Sequence, residues 1–555
     1  MSALATDPGL SLVGLAAVML ALTASLAPRP QTRAICALAA LVAAPLLVAL
    51  SAWDTAAVAA LRDRPLLLVA GLLVAAIAAL GLGRLTRDRP ALLALLAIAA
   101  LPFRIPLELG GQQVSLLIPL YLAIGVAAIA HAVSLLTEHV ELPQLRRQRA
   151  DEGVPLDEWR LDAEAEQAPP AAPTPKPEPA GERPASPWVW RKPGLLEWAL
   201  AAFVLLYAVQ ALYSTDATHA SQNEAFFLVP FALLWGQLRS TPISRALMRR
   251  CLEVITIVAL VLAAIAFYEY ATRELLFNTR VEDANQLATY FRVNALFYDP
   301  NILGRFLALV VVLLAASLAW ARRSSQAAAS TVAAAVLLCA LVLTFSISSL
   351  VSLGVGLAVI AALRYGGGRT LAVCAAVVAV GLVAVVAFPG TVNVKLDSTD
   401  SLNQLTSGRV DLISGGLDLA AERPINGWGS GSFAAEYRDQ RKGPTSHAVS
   451  VSHTYPVTVA AEQGVVGALA YFALVILAML VLLRGASRNP ARAAIAAAFV
   501  ALVVHTLVYA SFIEDPAIWV LLAFGGALAP AGVREAALQR QRRAERRARE
   551  AAALG

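Results

Sequence analysis

The chain has 555 residues, of which 58% are hydrophobic and 15% charged, with a mean hydropathy of +0.67. That balance excludes a soluble globular protein, in which about a quarter of the residues would be charged. The net charge of +6 follows from basic loops and a basic tail of the kind that orient membrane proteins, so it does not imply nucleic acid.

Apolar stretches long enough to cross about 30 Å of hydrocarbon as helix, roughly 17–25 residues, recur along almost the whole chain. Within the N-terminal part, residues 1–140, they fall at 9–27, 33–51, 65–83, 90–104 and 114–135. A central part, 193–389, carries 194–212, 224–238, 250–270, 302–320, 328–345, 349–364 and 370–389. The C-terminal part, 456–533, carries 456–483, 492–511 and 516–532. Because backbone polar groups in lipid must be satisfied within the segment, this pattern predicts an all-α polytopic membrane protein, a bundle of about 12–15 transmembrane helices. The first span has no basic leader and is expected to remain as a helix.

Lys and Arg set the orientation. Arg29 and Arg33, Arg84 to Arg89, Arg239 to Arg250, Arg322 with Arg323, Arg364 with Arg369, and Arg484 to Arg492 fall on alternate connections, which are predicted to be cytoplasmic. The tail 534–555, with seven arginines against three glutamates, belongs on the same side. The connections 213–223, 271–301, 390–455 and 511–516 are then extracytoplasmic. Residues 141–192 interrupt the apolar pattern with ten prolines between Pro143 and Pro187. Such a stretch buries too little apolar surface to offset ordering entropy and favours extended geometry. It is predicted to be a disordered cytoplasmic linker, acting as a spacer or as a docking site for a cytoplasmic partner. Cys36, Cys251, Cys339 and Cys374 lie in or beside spans without metal-like spacing and read as small apolar residues.

The long outer loop, 390–455, concentrates the polar residues. Val410, Ile413, Leu417 and Ala421 recur at helical spacing. They predict an amphipathic helix on the membrane surface, capped by Ser407 and ended by Pro424. The glycine-dense run Pro424-Ile425-Asn426-Gly427-Trp428-Gly429-Ser430-Gly431-Ser432-Phe433 follows; its backbone can approach a ligand closely, or it is a surface turn with Trp428 dipped into the interface. His453-Thr454-Tyr455-Pro456 then leads into a long span headed by Gly464-Val465-Val466-Gly467.

This order of features resembles the C-terminal half of the O-antigen ligase and polymerase family, over about residues 290–480. The ligase signature is His, then Asn, Ser or Gln, nine residues, then Gly-x-x-Gly. Here stand His453, Thr454, Tyr455 to Gln463, then Gly464 and Gly467, so only the second position departs, and it keeps a hydroxyl. The family also carries an arginine in a Leu-Thr-x-Ser-Arg pattern. The corresponding stretch is Leu343-Thr344-Phe345-Ser346-Ile347, and Ile347 cannot bind a phosphate. Arg292, in the run that ends Asp299-Pro300-Asn301, is the expected substitute, with Arg305 in reserve.

The resemblance implies a glycosyltransferase of the inner membrane that needs no metal and no cofactor. It would move a glycan from a polyprenyl diphosphate to an acceptor hydroxyl, on a lipid or on another glycan, at the outer face. A sugar diphosphate carries its own leaving group, so the protein must supply a base for the acceptor and positive charge for the departing diphosphate. A neutral imidazole suits the first task and a forked guanidinium the second. His453 is therefore the expected base, and Arg409 and Arg292 the diphosphate ligands. Glu462, Thr454 and Tyr455 are candidates to orient the acceptor; Gly464, Gly467, Gly427 and Gly429 are expected to shape the loop. Glu514 and Asp515 read either as lining the same cavity or as solvated helix ends. His447 reads as a loop residue, and His131 and His505 as helix-to-helix hydrogen-bond partners. A ligase is favoured over a polymerase by the histidine spacing. A glycolipid transporter, which would place charges near the midplane, and an inactive scaffold are the readings from other classes.

Overall fold

The computed structural model describes residues 8–51, 65–109, 112–151, 188–277, 290–387, 409–440 and 452–529. Most of the proline-rich linker, Ser407, His447 and the basic tail lie outside the described residues.

The N-terminal part folds as α1 (Pro8–Leu26), α2 (Pro30–Ser51), α3 (Pro65–Thr86), α4 (Pro90–Ala100) and α5 (Ile118–Asp151). The central part contributes α6 (Leu195–Ala211), α7 (Ala217–Asn223), a π-helical turn (Glu224–Leu228), α8 (Val229–Ser240), α9 (Arg245–Thr272), α10 (Pro300–Ala319), α11 (Ser324–Leu343), α12 (Ile347–Tyr365) and α13 (Gly367–Ala387). Helices α14 (Arg409–Glu422) and α15 (Phe433–Gln440) belong to the outer loop; α16 (Tyr455–Leu483), α17 (Pro490–Thr506) and α18 (Pro516–Ala529) complete the bundle. Several helices begin on proline, whose missing N–H costs nothing at the first helical position. Others are capped by side chains: Asp299, Ser244 and Ser346 each accept a backbone N–H from the first turn.

Among the described residues eight helices are long and apolar enough to cross a membrane, and six shorter apolar helices pack with them. The chain is thus an all-α polytopic membrane protein with one addition that hydropathy did not signal. Residues Ile105–Leu109 and Gln112–Leu116 pair as an antiparallel hairpin, β1 and β2, where span 90–104 was expected to end. That expected span is an 11-residue helix, too short to cross alone. The expected span 224–238 is divided by the π-helical turn before α8.

The linker boundary also moves. Helix α5 runs on to Asp151, through the first residues assigned to the linker. At its other end Trp188 stacks on His131 with ring centroids 4.4 Å apart and donates from Nε1 to the carbonyl of Arg87 at 2.9 Å. Arg191 bonds the carbonyls of Arg239 and Thr241. These anchors fix the re-entry of the chain into α6. The core of the C-terminal half is the mutual packing of α10, α12 and α17, with α16 against α6 and α14 against α16. Gly304 lets α10 approach the first turn of α12, since a Cβ there would lie 2.7 Å from Ser349 Oγ and 2.9 Å from Thr344 Oγ1.

Candidate functional site

The outer loop is locked to the bundle by a break in α16. Gly464 has φ 63 and ψ −163, which interrupts the helix. The carbonyls of Ala461 and Glu462 accept the N–H groups of Trp428 and Gly429 at 3.1 and 2.8 Å, and Val465 N–H donates to Pro424 at 2.8 Å. The run 424–429 is therefore inserted into the gap and satisfies the backbone groups that the break exposes. The insertion is tight on both sides: a Cβ on Gly464 would lie 2.2 Å from the Ile425 oxygen, and one on Gly427 would lie 2.3 Å from Glu462 backbone. The outer face of the run docks on the end of α6, where Ser214 Oγ donates to the Ser430 carbonyl at 2.8 Å and Tyr213 to that of Asn426 at 2.7 Å.

Two features of this loop add to the sequence reading. The stripe of α14 that faces the protein is Leu412, Gly415, Gly416 and Leu419, packed with Phe433, Tyr437 and Ala461. The expected stripe lies largely outside, with Leu417 52% exposed. Glycine has no hydropathy to signal the inward face, and it is there because Phe433 and Val457 press on Gly416. Trp428 is held by Arg423, whose guanidinium lies 3.8 Å from the ring centroid, and by a 3.0 Å bond to the Leu419 carbonyl. It clamps the loop to the end of α14.

The break positions the turn before α16. His453 has φ 58, a left-handed conformation that costs a residue with a side chain about 1–3 kcal/mol and is tolerated where the surroundings enforce it. They do so here. Ser452 Oγ donates to the Thr454 carbonyl at 2.7 Å, and Thr454 Oγ1 donates to the Leu507 carbonyl at 3.0 Å. Thr454 thereby ties the histidine turn to the end of α17 with the hydroxyl it shares with the family serine. The imidazole lies 6.2 Å from the Tyr509 ring, edge on, and among the described residues its Nδ1 is buried without a hydrogen-bond partner. Burial, assisted by the charge of Arg409 and opposed by that of Asp299, holds its pKa below the ordinary value.

Arg292 sits at the same end. Its Nε donates to the Thr344 carbonyl at 2.9 Å and its NH2 to Asn301 Oδ1 at 3.1 Å, while Asn301 N–H is accepted by Asp299 at 2.8 Å. Burial, with the charge of Arg409, lowers its pKa, and Asp299 raises it; an arginine nevertheless stays charged. The loop that carries Arg292 is fastened by Glu269, which accepts N–H from Leu276, Asn294 and Ala295 at 3.2, 3.1 and 2.9 Å. Ile347 opens α12 three residues after Thr344 and is 77% exposed. Arg409 opens α14, and its charge acts on Arg292 and on His453 alike. The structure thus brings His453, Arg409 and Arg292 to one end of the bundle.

Other candidates serve different purposes. Glu462 Oε2 accepts from Gly431 N–H at 2.9 Å and Oε1 from Phe433 N–H at 3.2 Å. It fastens the glycine run and the start of α15 and pairs with no arginine among the described residues, so the acceptor-orienting reading is replaced by a structural one. Tyr455 is likewise core: it is 4% exposed and packs on Tyr471 and Phe512. Gly467 faces the side chain of Gln463. Arg305 is neutralised by Asp515 in a buried pair at 3.0 Å, with Tyr509 beside it. Glu514 bonds Phe512 N–H at 3.0 Å, and burial pushes its pKa up to about 7. His505 meets Ser348 and Ser349 at 3.4 and 3.5 Å, joining α17 to α12 as expected of a histidine between helices. Sequence reasoning missed Tyr509, Thr344 and Glu269 as neighbours of the site. The only signal for them was their place at the ends of spans that face the same side.

A search of curated proteins finds no match to this chain. The family model described as O-antigen ligase matches residues 332–472, from within α11 to within α16. That stretch contains Arg409, the glycine run, His453 and the break at Gly464, and the chain is a multi-pass membrane protein that over this stretch is similar to the O-antigen ligase family.

Proposed function

We propose that the chain is an O-antigen ligase-type glycosyltransferase of the inner membrane, which moves a glycan from a polyprenyl diphosphate to an acceptor hydroxyl at the outer face. The observation that carries this reading is His453, held in a left-handed turn with a buried Nδ1 that has no partner among the described residues, under the charge of Arg409, which also acts on Arg292. A lowered pKa keeps the imidazole neutral near pH 7, the form a base requires. As the acceptor oxygen bonds to the anomeric carbon, the bond from that carbon to the diphosphate oxygen breaks. The acceptor proton passes to His453 and from there to water. Charge that develops on the diphosphate is met by Arg409 and by Arg292, whose guanidinium is already fixed by Thr344 and Asn301. No metal is required in this scheme, and a chelator should leave the rate unchanged.

Arg292 takes the part of the arginine that Ile347 replaces. Its bond to the Thr344 carbonyl sets its guanidinium against the turn in which the family residue would stand. The histidine spacing favours a ligase over a polymerase of the same family. The basic loops favour an orientation with the His453 end of the bundle outside and the linker inside. Complementation of a deletion strain tests the reading: His453→Ala, made and inserted normally, should leave glycan on its carrier. Full complementation by that variant would return the histidine to a structural role and favour a transporter or scaffold.

A further inference from the structure

A cavity of about 2080 Å³ lies between α9, α10, α16, α17 and α18. It is twice the upper size of an ordinary small-molecule pocket, about 1,000 Å³. Its two ends differ. Arg305 and Asp515, paired with each other, line it toward the His453 end. At the opposite end Arg245, which opens α9, Arg322, in the turn from α10 to α11, and Arg484 and Arg488, between α16 and α17, converge on it from three separate connections. Among the described residues no carboxylate pairs with any of these four. Between the ends the wall is apolar, with Leu252, Leu309, Val520 and Phe524 among its side chains. Arg104 also lines it, and its Nε is buried without a hydrogen-bond partner among the described residues.

Loop arginines alone would serve orientation, but orientation does not require them to ring the mouth of an apolar cavity. We infer that this cavity holds an anionic glycerophospholipid, its phosphate on Arg245, Arg322, Arg484 and Arg488 and its acyl chains along the apolar wall. Guanidinium forks match phosphate oxygens, and basic pockets between spanning helices suit anionic headgroups. A polyprenyl donor entering from the His453 end fits less well, since its apolar tail would finish among four arginines. The site is separate from the transfer chemistry and does not depend on it.

Native mass spectrometry of the purified full chain, titrated with phosphatidylglycerol and with phosphatidylcholine, tests the inference. The wild type should hold one phosphatidylglycerol about tenfold more tightly than phosphatidylcholine. The combined R245Q, R322Q, R484Q and R488Q variant should lose that preference, and L309W, which fills the wall, should weaken both lipids. L252W on the facing wall replaces L309W if the latter does not fold, and single Arg→Gln variants replace the combined one. Equal affinity of the wild type for the two lipids, a preference that survives loss of the arginines, or displacement by inorganic phosphate at matched concentration would each overturn it.

Discussion

His453 is where the chemistry concentrates, and its environment sets a pH dependence. Burial and the charge of Arg409 hold the imidazole pKa below its ordinary value. The base form is therefore complete at neutral pH, and the rate should fall only as the pH drops through that lowered pKa. Arg409→Gln removes a charge that lowers it, so the acid limb of the pH profile should move toward higher pH while the plateau falls. A limb that stays in place would separate Arg409 from His453. Arg292 and Ile347 offer a second test. Arg292→Ala should reduce transfer at least about 10²-fold if its positive charge meets the diphosphate, as loss of a preorganised donor typically does. Adding Ile347→Arg to that variant should recover part of the rate, because residue 347 is exposed three positions from the carbonyl that holds Arg292. Normal transfer by Arg292→Ala alone would remove Arg292 from the site. The histidine was legible in the sequence because its distance from Gly464 and Gly467 is a matter of spacing. Glu462 was misread because no sequence pattern tells that the helix breaks two residues later and presents loop amides to that carboxylate.

At the scale of elements, the break in α16 and the loop inserted into it act as one piece. Gly464→Ala would put a methyl group 2.2 Å from the Ile425 oxygen in a backbone region open essentially to glycine alone. It should lower the melting temperature in detergent and cost about 1–3 kcal/mol or more, whereas Gly354→Ala, where nothing lies within 4 Å, should be nearly neutral. Glu269 does similar work for the loop of Arg292. Glu269→Gln should raise the donor KM, since three backbone N–H groups of the loop are held by that carboxylate; an unchanged KM would detach the two. Hydropathy located α10, α12 and α16 because each is long and apolar. It could not locate the β1–β2 hairpin or the π-helical turn, which alter hydrogen bonding without altering composition. The inward face of α14 was hidden for a related reason, since two of its four positions are glycine.

For the molecule as a whole, the account requires the ends of the bundle to face opposite compartments. Single cysteines at Asp439 in α15 and at Ser487 between α16 and α17 test this with an impermeant maleimide. Only the first should label in intact spheroplasts, and the reverse pattern would turn the topology around. The same asymmetry orders the chemistry: His453 and its arginines at one end, four loop arginines with no carboxylate partner among the described residues at the other, and apolar helices between. Spans were readable from hydropathy, while the docking of Trp188 at the linker's end was not, because it rests on one aromatic stack and one hydrogen bond.

The most direct measurement is transfer in proteoliposomes, with a defined polyprenyl diphosphate glycan and an acceptor, by wild type and His453→Ala at equal folded amounts. The wild type should join glycan to acceptor, and the variant should do so at least about 10²-fold more slowly with donor still bound. Equal rates would contradict the assignment of His453 as base.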